Sequence, residues 1–376
     1  MRLLIVISFL HVLHQASARE LKFVQAVWRH GHRAPGGLPY PNDKNGLNVW
    51  KRGWSQLTPL GMRQLKELGD FFEERYKGKF TSIRFNVSEI YVKASDSDRA
   101  IESAQSFLQG FYPAEKDEIF EKGLSWRPLP VHTSGPDQVD LVLRPTSYSC
   151  ALYDKIKSHF KFRLMLNLSK QYPDVYRFVK NMTGVPEKKF RWTDAFHVAS
   201  ANREVEYNLT VDPWLFKRWP NHGGRTTLEI ALEWAKLARF VEWATPEMAK
   251  MRGGVMLHEL LKTINQVAKG KQTDPNKMML YSAHDGTVMT LINSLKLKAD
   301  QIAPYGSAVI MEVYKEKEQF YVELLYRKNK KLQTLQVPGC DVRCPVDKLR
   351  KLLANNIVES REKLDILCEN KPQVKS

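Results

Sequence analysis

The sequence has little of several features that define special classes of protein. It contains only four cysteines in 376 residues, and a chain of this length can bury its core without disulfide staples. Acidic residues are outnumbered, with 41 Asp and Glu against 58 Lys and Arg, so the net charge is +17. This excludes an acidic solvating chain, although charge bears on partners and solubility rather than on fold. Internal repeats and low-complexity tracts are absent.

The overall composition is that of a folded globular protein. Hydrophobic residues make up 43% of the chain and charged residues 26%, which is close to the average of soluble domains. The length corresponds to one large domain or two ordinary ones. The central question is therefore where the chain carries chemistry.

The first residues have the pattern of a secretory signal peptide. Arg2 supplies a positive charge, Leu3–Leu10 is almost entirely apolar, and Ala16-Ser17-Ala18 matches a small-x-small cleavage site. A buried strand or an uncleaved anchor is the alternative, but an anchor needs about 20 apolar residues. We predict that residues 1–18 are removed and that the protein is secreted, with lysosomal delivery left open. No later segment is apolar enough to cross a membrane, and the polar tail predicts no lipid anchor.

Secretion would make the cysteines disulfide candidates and the sequons glycosylation candidates. Four cysteines allow three connectivities, and buried free thiols are the alternative; they are Cys150, Cys340, Cys344 and Cys368. Asparagines in N-x-S/T tripeptides are predicted sites of N-glycosylation: Asn86, Asn167, Asn181 and Asn208. Three of them fall between residues 160 and 210, which indicates an exposed region.

Strand–loop–helix units occur at both ends of the chain. Apolar runs predict strands at Leu21–Trp28, Glu89–Ala94, Lys277–Ala283, Ser307–Tyr314, Gln319–Arg327 and Leu332–Val337. Helical spacing predicts helices from Thr58 to Gly78, from Asp96 onward, at Thr226–Trp243, at Val255–Val267, and from Asp285 to Leu297. This order predicts an α/β fold in which a mixed sheet is flanked by helices. Residues 19–125 and 251–376 would form the catalytic core, and residues 126–250 an inserted, mostly helical cap domain.

Polar clusters follow three of the predicted strands. They are Arg29 to Arg33, Asp96 to Arg99, and His284-Asp285, and ligands of α/β sheets bind at the carboxyl ends of strands. Arginine forks match phosphate oxygens, and a neutral imidazole can attack phosphorus. A carboxylic acid can protonate the leaving alkoxide. The mixture predicts phosphate-ester hydrolysis without a metal or other cofactor.

Each cluster also has a purely structural interpretation. An Arg-His pair in a loop is usually solvated, and Asp96 or Asp285 could simply cap a helix. His30-Gly31-His32 could bind a metal, but no further ligand set with useful spacing supports this. The order of the three clusters, all at strand ends, favours the functional interpretation.

These residues resemble the motifs of a known family. Residues 29–35, RHGHRAP, fit the RHGxRxP signature of the histidine acid phosphatases, and His284-Asp285 fits that family's HD motif. Asp96 to Arg99 looks like its third phosphate-binding segment, and Pro130 to Thr133, which contains His132, also resembles a family segment. The resemblance covers the mature chain and is closest to the animal, prostatic-type branch, particularly to secreted nematode intestinal acid phosphatases. It implies a phosphoglycerate-mutase-like fold.

The resemblance also implies a role for each matching residue. His30 would be the nucleophile that becomes phosphohistidine, and Asp285 the general acid that later helps to activate water. Three arginines would hold the phosphate oxygens, with His284 as a further donor: Arg29, Arg33 and Arg99. The implied disulfides are Cys150–Cys368 and Cys340–Cys344. Many animal relatives have Asp where this chain has His32, which would place an extra imidazole near the phosphate.

The resemblance therefore implies a secreted, glycosylated acid phosphatase that hydrolyses small-molecule phosphate monoesters. A nucleic-acid partner and a membrane span are not expected. A homodimer stays an open alternative, because members of this family are often dimers. Narrower alternatives are a phytase or a lysophospholipid phosphatase. Two broader ones are a phosphoglycerate-mutase-type transferase and a secreted binding protein that has lost catalysis and uses its basic surface.

Overall fold

The computed structural model describes residues 19–136 and 138–369. The predicted signal peptide, residues 1–18, lies outside this part of the chain. The strands are β1 Glu20–Arg29, β2 Ile90–Ala94, β3 Arg218–Trp219, β4 Arg225–Thr226, β5 Met278–Ala283, β6 Ala308–Glu316, β7 Gln319–Lys328, β8 Lys331–Leu335 and β9 Arg343–Pro345. The α-helices are α1 Pro59–Tyr76, α2 Asp98–Phe111, α3 Ala151–Gln171, α4 Pro173–Met182, α5 Trp192–His197, α6 Asn202–Glu206, α7 Thr227–Phe240, α8 Pro246–Ala268, α9 Asp285–Ser294, α10 Val346–Leu353 and α11 Arg361–Leu367.

The main sheet is mixed, as the sequence predicts. Its order is β2-β5-β1-β6-β7-β8. The short strand β9 pairs with residues 321–323 of β7. The first three strands are parallel, whereas β6 runs antiparallel to β1. The carboxyl ends of β2, β5 and β1 therefore lie side by side at one edge of the sheet. The amino-terminal end of β6 lies at the same edge, because an antiparallel strand starts where its neighbour finishes.

Buried apolar side chains cover both faces of this sheet. One face packs against α1 and α2 through residues such as Trp28, Phe72 and Phe107. The other packs against α8, α9 and α10 through residues such as Leu257 and Leu291. This arrangement confirms the predicted α/β fold with flanking helices.

The middle of the chain, from α3 to α7, has an apolar cluster of its own. This cluster surrounds Trp234 and includes Val175, Val179 and Ile230, together with Tyr40 from the loop after β1. Regular strand in this region is limited to the short β3–β4 pair. A separate buried cluster is the feature expected of an inserted unit.

Two helix starts differ from the sequence-based prediction. The helix expected at Val255 begins at Pro246, because Thr245 caps it and accepts a hydrogen bond from the Met248 N–H. Ser97, not Asp96, is the N-cap of α2. Helix α9 begins at Asp285, as predicted, but its N-cap is His284, so Asp285 does not cap it. Thr58 does cap α1, as predicted.

Both disulfides implied by the resemblance are present. Cys150 is bonded to Cys368 and Cys340 to Cys344. The first bond connects the start of α3 to the residue that ends α11, so it joins the middle of the chain to its end. The four sequon asparagines are all exposed: Asn86, Asn167, Asn181 and Asn208. Their glycosylation stays a prediction.

A buried pair of carboxyl groups joins the loop after β1 to α6. Asp43 and Glu204 lie close enough for each carboxyl group to act on the pKa of the other, and Glu204 is completely buried. The Asn45 side chain donates to Glu204 Oε2 at 2.9 Å, whereas Glu204 Oε1 has no hydrogen-bond partner in the described residues. Asp212 lies close by and accepts from the Tyr40 hydroxyl at 3.1 Å. Two carboxyl groups in contact need a shared proton.

Because of this pair, we expect the folded protein to be more stable near pH 4.5 than near pH 7. Burial, with the nearby charges of Asp43 and Asp212, raises the pKa of Glu204 to about 7. The folded state therefore binds a proton that the unfolded chain loses near pH 4.3. The free energy of unfolding should fall as the pH rises from about 4.5 to about 7, by roughly 2–3 kcal/mol.

Thermal unfolding of Glu204→Gln across that pH range tests this expectation. The amide can donate to Asp43 and cannot ionise, so the variant should lose most of the decline in Tm. Glu318→Gln changes a carboxylate that is 94% exposed and should retain the wild-type decline. An equal decline in Glu204→Gln and wild type would contradict the assignment.

Candidate active site

The sheet brings the three predicted polar clusters together. Arg29 ends β1, His30 follows it, and His284 and Asp285 follow β5, the neighbouring strand. Arg99 lies in the first turn of α2, just after β2. The rings of His30 and His284 are 5.4 Å apart, centre to centre. The predicted residues thus meet at the carboxyl edge of three adjacent parallel strands.

Glycine is required where the loop after β1 crosses the start of α1. A Cβ atom on Gly31 would lie 2.3 Å from the Gly61 carbonyl oxygen, and one on Gly61 would lie 2.2 Å from the His32 carbonyl oxygen. The Gly31 N–H donates to the Ser103 hydroxyl at 3.1 Å. This close contact fixes the backbone on both sides of His30.

His30 is buried and holds a defined tautomer. Its Nδ1 lies 2.8 Å from the Gly31 carbonyl oxygen, and because a carbonyl can only accept, Nδ1 carries the proton. Nε2 therefore has the lone pair, and it makes no hydrogen bond to the described residues. Burial and the charges of Arg29 and Arg99 lower the pKa of His30 well below its usual value. The ring consequently stays neutral at acid pH, where an ordinary histidine is protonated.

The three predicted phosphate-binding arginines are held by backbone carbonyls or by a neighbouring histidine. Arg29 Nη1 donates to the Ala303 carbonyl at 2.6 Å, and its guanidinium lies 3.9 Å above the Tyr305 ring centre. Arg33 Nη1 donates to its neighbour's carbonyl at 2.7 Å. In the described residues, the Nε atoms of Arg29, Arg33 and Arg99 are buried without a partner. Buried donors of this kind are suited to an anion.

Burial lowers the pKa of Arg33 to about 10, and the charge of Arg203 adds to the effect. Arg33 therefore remains a cation at neutral and acid pH. An unpaired cluster of positive charges at the end of a sheet is stabilised when a dianion enters it.

His284 supports Arg99 in this structure. Arg99 Nη2 lies 3.4 Å from His284 Nδ1, and His284 Nε2 lies 2.7 Å from the Ser95 hydroxyl. An arginine can only donate, so Nδ1 is the acceptor and Nε2 carries the proton. Burial and the Arg99 charge lower the pKa of His284 to about 3, so the ring is neutral. Its only N–H is directed to Ser95, and the expected donation from His284 to phosphate stays a prediction.

Asp285 carries a negative charge. Burial alone would raise its pKa, but the positive charges of Arg239 and Arg29 outweigh that effect and hold the pKa of Asp285 well below its usual range. Arg239 Nε lies 3.5 Å from Asp285 Oδ2 and also pairs with Glu242. The Asp285 side chain is 27% exposed, so it is reachable from solvent.

His32 and His132 have structural positions. His32 is completely buried, with Nδ1 2.8 Å from the Thr58 hydroxyl and Nε2 2.9 Å from the Arg203 carbonyl oxygen. Burial lowers its pKa to about 4. It therefore joins the loop after β1 to α6 as a neutral ring. His132 is exposed, and its ring stacks on Tyr91 at 4.6 Å.

Sequence reasoning missed several residues of this site. Tyr305, Ser95, Arg203 and Arg239 all contact a predicted residue. Tyr305 could have been found from the topology, because it lies three residues before β6, which is antiparallel to β1. The two arginines belong to the middle of the chain and carry no motif.

A cleft of about 1140 Å3 reaches three of the predicted site residues, Arg29, Arg33 and Asp285. One side is formed by residues that border the sheet, such as Arg29, Arg33 and Tyr305. The other side is formed by the middle of the chain, through Phe196 to Glu206 and Leu232 to Lys236. In the described part of the chain, no group of three or more His, Cys, Asp or Glu side chains is arranged to hold a metal ion. No helix in that part is long and apolar enough to span a bilayer.

A neutral buried imidazole among arginines, with a carboxylate nearby, is the arrangement expected of an enzyme that hydrolyses phosphate esters. Comparison with known proteins gives the family. Residues 20–327 match the model of the histidine phosphatase superfamily (branch 2). The chain therefore belongs to the histidine phosphatases, and it is a phosphatase that acts on phosphate monoesters.

Named relatives agree with this placement. The chain is 30% identical to the lysosomal acid phosphatase of Xenopus laevis over 93% of its own length and 80% of the relative's. It is also 30% identical to the prostatic acid phosphatase of Rattus norvegicus, over 91% and 88% of the two chains. The phytase of Citrobacter braakii shares the fold, with a TM-score of 0.67 at 16% identity over 92% and 99% of the two chains.

Proposed function

We propose that this phosphatase works at acid pH by transferring the phosphoryl group to His30. The observation that carries the proposal is the state of His30: buried, neutral, with Nδ1 bonded to a carbonyl and the Nε2 lone pair free. Arg29, Arg33 and Arg99 would bind the non-bridging oxygens of the substrate, because their buried donors have no other anion. The substrate is a small phosphate monoester.

The reaction has two steps. In the first, His30 Nε2 forms a bond to phosphorus, the bond between phosphorus and the ester oxygen breaks, and Asp285 gives its proton to the leaving oxygen. In the second, water attacks phosphorus, the P–N bond breaks, and the Asp285 carboxylate accepts the proton of water. Inorganic phosphate leaves, Asp285 then loses this proton to solvent because its pKa falls again, and the next substrate raises the pKa so that Asp285 takes up a proton.

Acid pH suits both groups. Before substrate binds, burial and the nearby arginines keep the pKa of His30 low, so the ring meets the substrate in its neutral form. Nearby positive charge keeps the pKa of Asp285 low, and a bound phosphate dianion offsets that charge. Substrate therefore raises the pKa of Asp285 toward the acid working range, in which the general acid must carry its proton.

We also propose that residues 126–250 form a cap domain over residues 19–125 and 251–376. The separate apolar cluster around Trp234 and the cleft between the two parts support this division. A secreted or lysosomal location is proposed from the N-terminal pattern, the two disulfides and the exposed sequons. The lysosomal and prostatic names of the relatives agree with it.

Hydrolysis of p-nitrophenyl phosphate by the wild-type protein between pH 4 and pH 8 tests the proposal. We expect activity that is highest in acid and unchanged by a metal chelator. A folded protein that is inactive throughout this range would contradict the proposal and favour the alternative of a binding protein with a basic surface. Activity that the chelator abolishes would contradict the metal-free mechanism.

A further inference from the structure

Arg203, in α6, is held at both ends by residues of the active site. Its backbone carbonyl accepts from His32 Nε2 at 2.9 Å. Its side-chain Nε donates to the Tyr305 hydroxyl at 3.0 Å, and the Tyr305 ring lies against the Arg29 guanidinium. The middle of the chain thus contributes an arginine to the cleft in a fixed orientation.

The terminal nitrogens of Arg203 are free to bind a ligand. In the described residues, Nη1 and Nη2 have no hydrogen-bond partner, and the residue lines the cleft. Arg203 also lies close to Arg33, so that its charge lowers the pKa of Arg33. Two guanidinium groups near each other, without an anion between them, repel and favour an anionic ligand.

In the described residues, Arg203 forms no ion pair with another charge of the cleft. Lys236 is paired with Glu233 at 2.7 Å, and Asp285 is paired with Arg239. Glu206 also lines the cleft; it is 42% exposed, lies 3.8 Å from His32 Nε2, and the charges of Arg29 and Arg203 oppose the rise in its pKa that burial causes. A phosphoryl group on Arg29, Arg33 and Arg99 would leave Arg203 available on the facing wall.

We propose that Arg203 binds a second anionic group, a carboxylate or a phosphate, on the alcohol part of the substrate. The preferred monoesters are then those with a negative charge near the reacting phosphate. This inference rests on the proposed function, because it assigns the arginines on the sheet side to the reacting phosphoryl group. Arg203 is a specificity residue rather than part of the chemical step.

Two substrates that differ only in that charge test the inference. 3-Phosphoglycerate carries a carboxylate where glycerol 3-phosphate carries a hydroxymethyl group. We expect wild type to favour 3-phosphoglycerate in kcat/KM by about tenfold, as one charge-assisted hydrogen bond predicts. Arg203→Gln should remove that preference, mainly through KM. Arg203→Lys keeps the charge and should retain part of the preference.

Arg218→Gln is the matched control, because this arginine of the same region is exposed and its side chain donates to the Gly224 carbonyl, away from the residues that line the cleft. It should keep the wild-type ratio of the two substrates. An equal loss on both substrates in Arg203→Gln would overturn the inference and show that Arg203 acts through Tyr305 on Arg29. A wild type with no preference would overturn it as well. A wild type inactive on both substrates and on p-nitrophenyl phosphate would instead be a failure of the proposed function.

Discussion

Replacement of His30 by Ala is expected to lower kcat by about 10^4-fold or more, the size of loss seen when a covalent enzyme loses its nucleophile. The reason is that His30 Nε2 carries the lone pair that would attack phosphorus, and this ring lies close enough to Arg29 and Arg99 for their charges to lower its pKa. Without His30, water would have to attack the phosphorus of substrate bound to the arginines directly, and this reaction would be slow. The measurement is steady-state hydrolysis of p-nitrophenyl phosphate at the pH optimum of the wild type.

The control for this variant is His132→Ala. His132 is exposed and stacks on Tyr91 outside the cleft, so its loss should change kcat by less than about twofold. Thermal unfolding of both variants establishes that they are folded. If folded His30→Ala keeps more than a tenth of the wild-type kcat, His30 is not the nucleophile.

Replacement of Asp285 by Asn is expected to have an effect that depends on the leaving group. An alkyl phosphate releases a strongly basic alkoxide, so loss of the general acid should lower kcat by about 10^2–10^4-fold. p-Nitrophenolate leaves without a proton, so p-nitrophenyl phosphate should lose much less in the first step. The contrast between glycerol 3-phosphate and p-nitrophenyl phosphate, measured in single turnovers, checks this result.

The same variant should also differ from wild type in how kcat depends on pH. Asp285 must be protonated to act, and bound phosphate raises its pKa, so wild-type kcat should fall as the pH rises through that value. Asp285→Asn cannot titrate and should lack this alkaline fall in the first step. Equal losses on both substrates, or an unchanged alkaline limb, would contradict the role of Asp285 as the general acid.

The sequence predicts that the three polar clusters meet at one edge of the sheet, because each cluster directly follows a strand. Local patterns were enough to find β1, β2 and β5, and the carboxyl ends of parallel strands must lie at one edge. The RHGxRxP and HD residues then needed no further information to be placed together.

Residues that depend on tertiary packing could not be found in this way. Arg203 reaches the site because α6 packs on the loop after β1, a contact made by His32, Asp43 and Asn45. Nothing in the local sequence of that short helix indicates it. Burial also decides the state of His32: the sequence suggested an extra imidazole near the phosphate, whereas the structure makes it a neutral connector between Thr58 and the Arg203 carbonyl.

The most direct test of the mechanism is to trap the phosphoenzyme. Asp285→Asn, mixed with 32P-labelled p-nitrophenyl phosphate and quenched in alkali, should carry label that acid releases, because phosphohistidine is stable in base and labile in acid. Peptide mapping should place the label on His30, and the double variant with His30→Ala should carry none. Label on another residue, or a rapid burst of p-nitrophenol without bound label, would contradict transfer to His30.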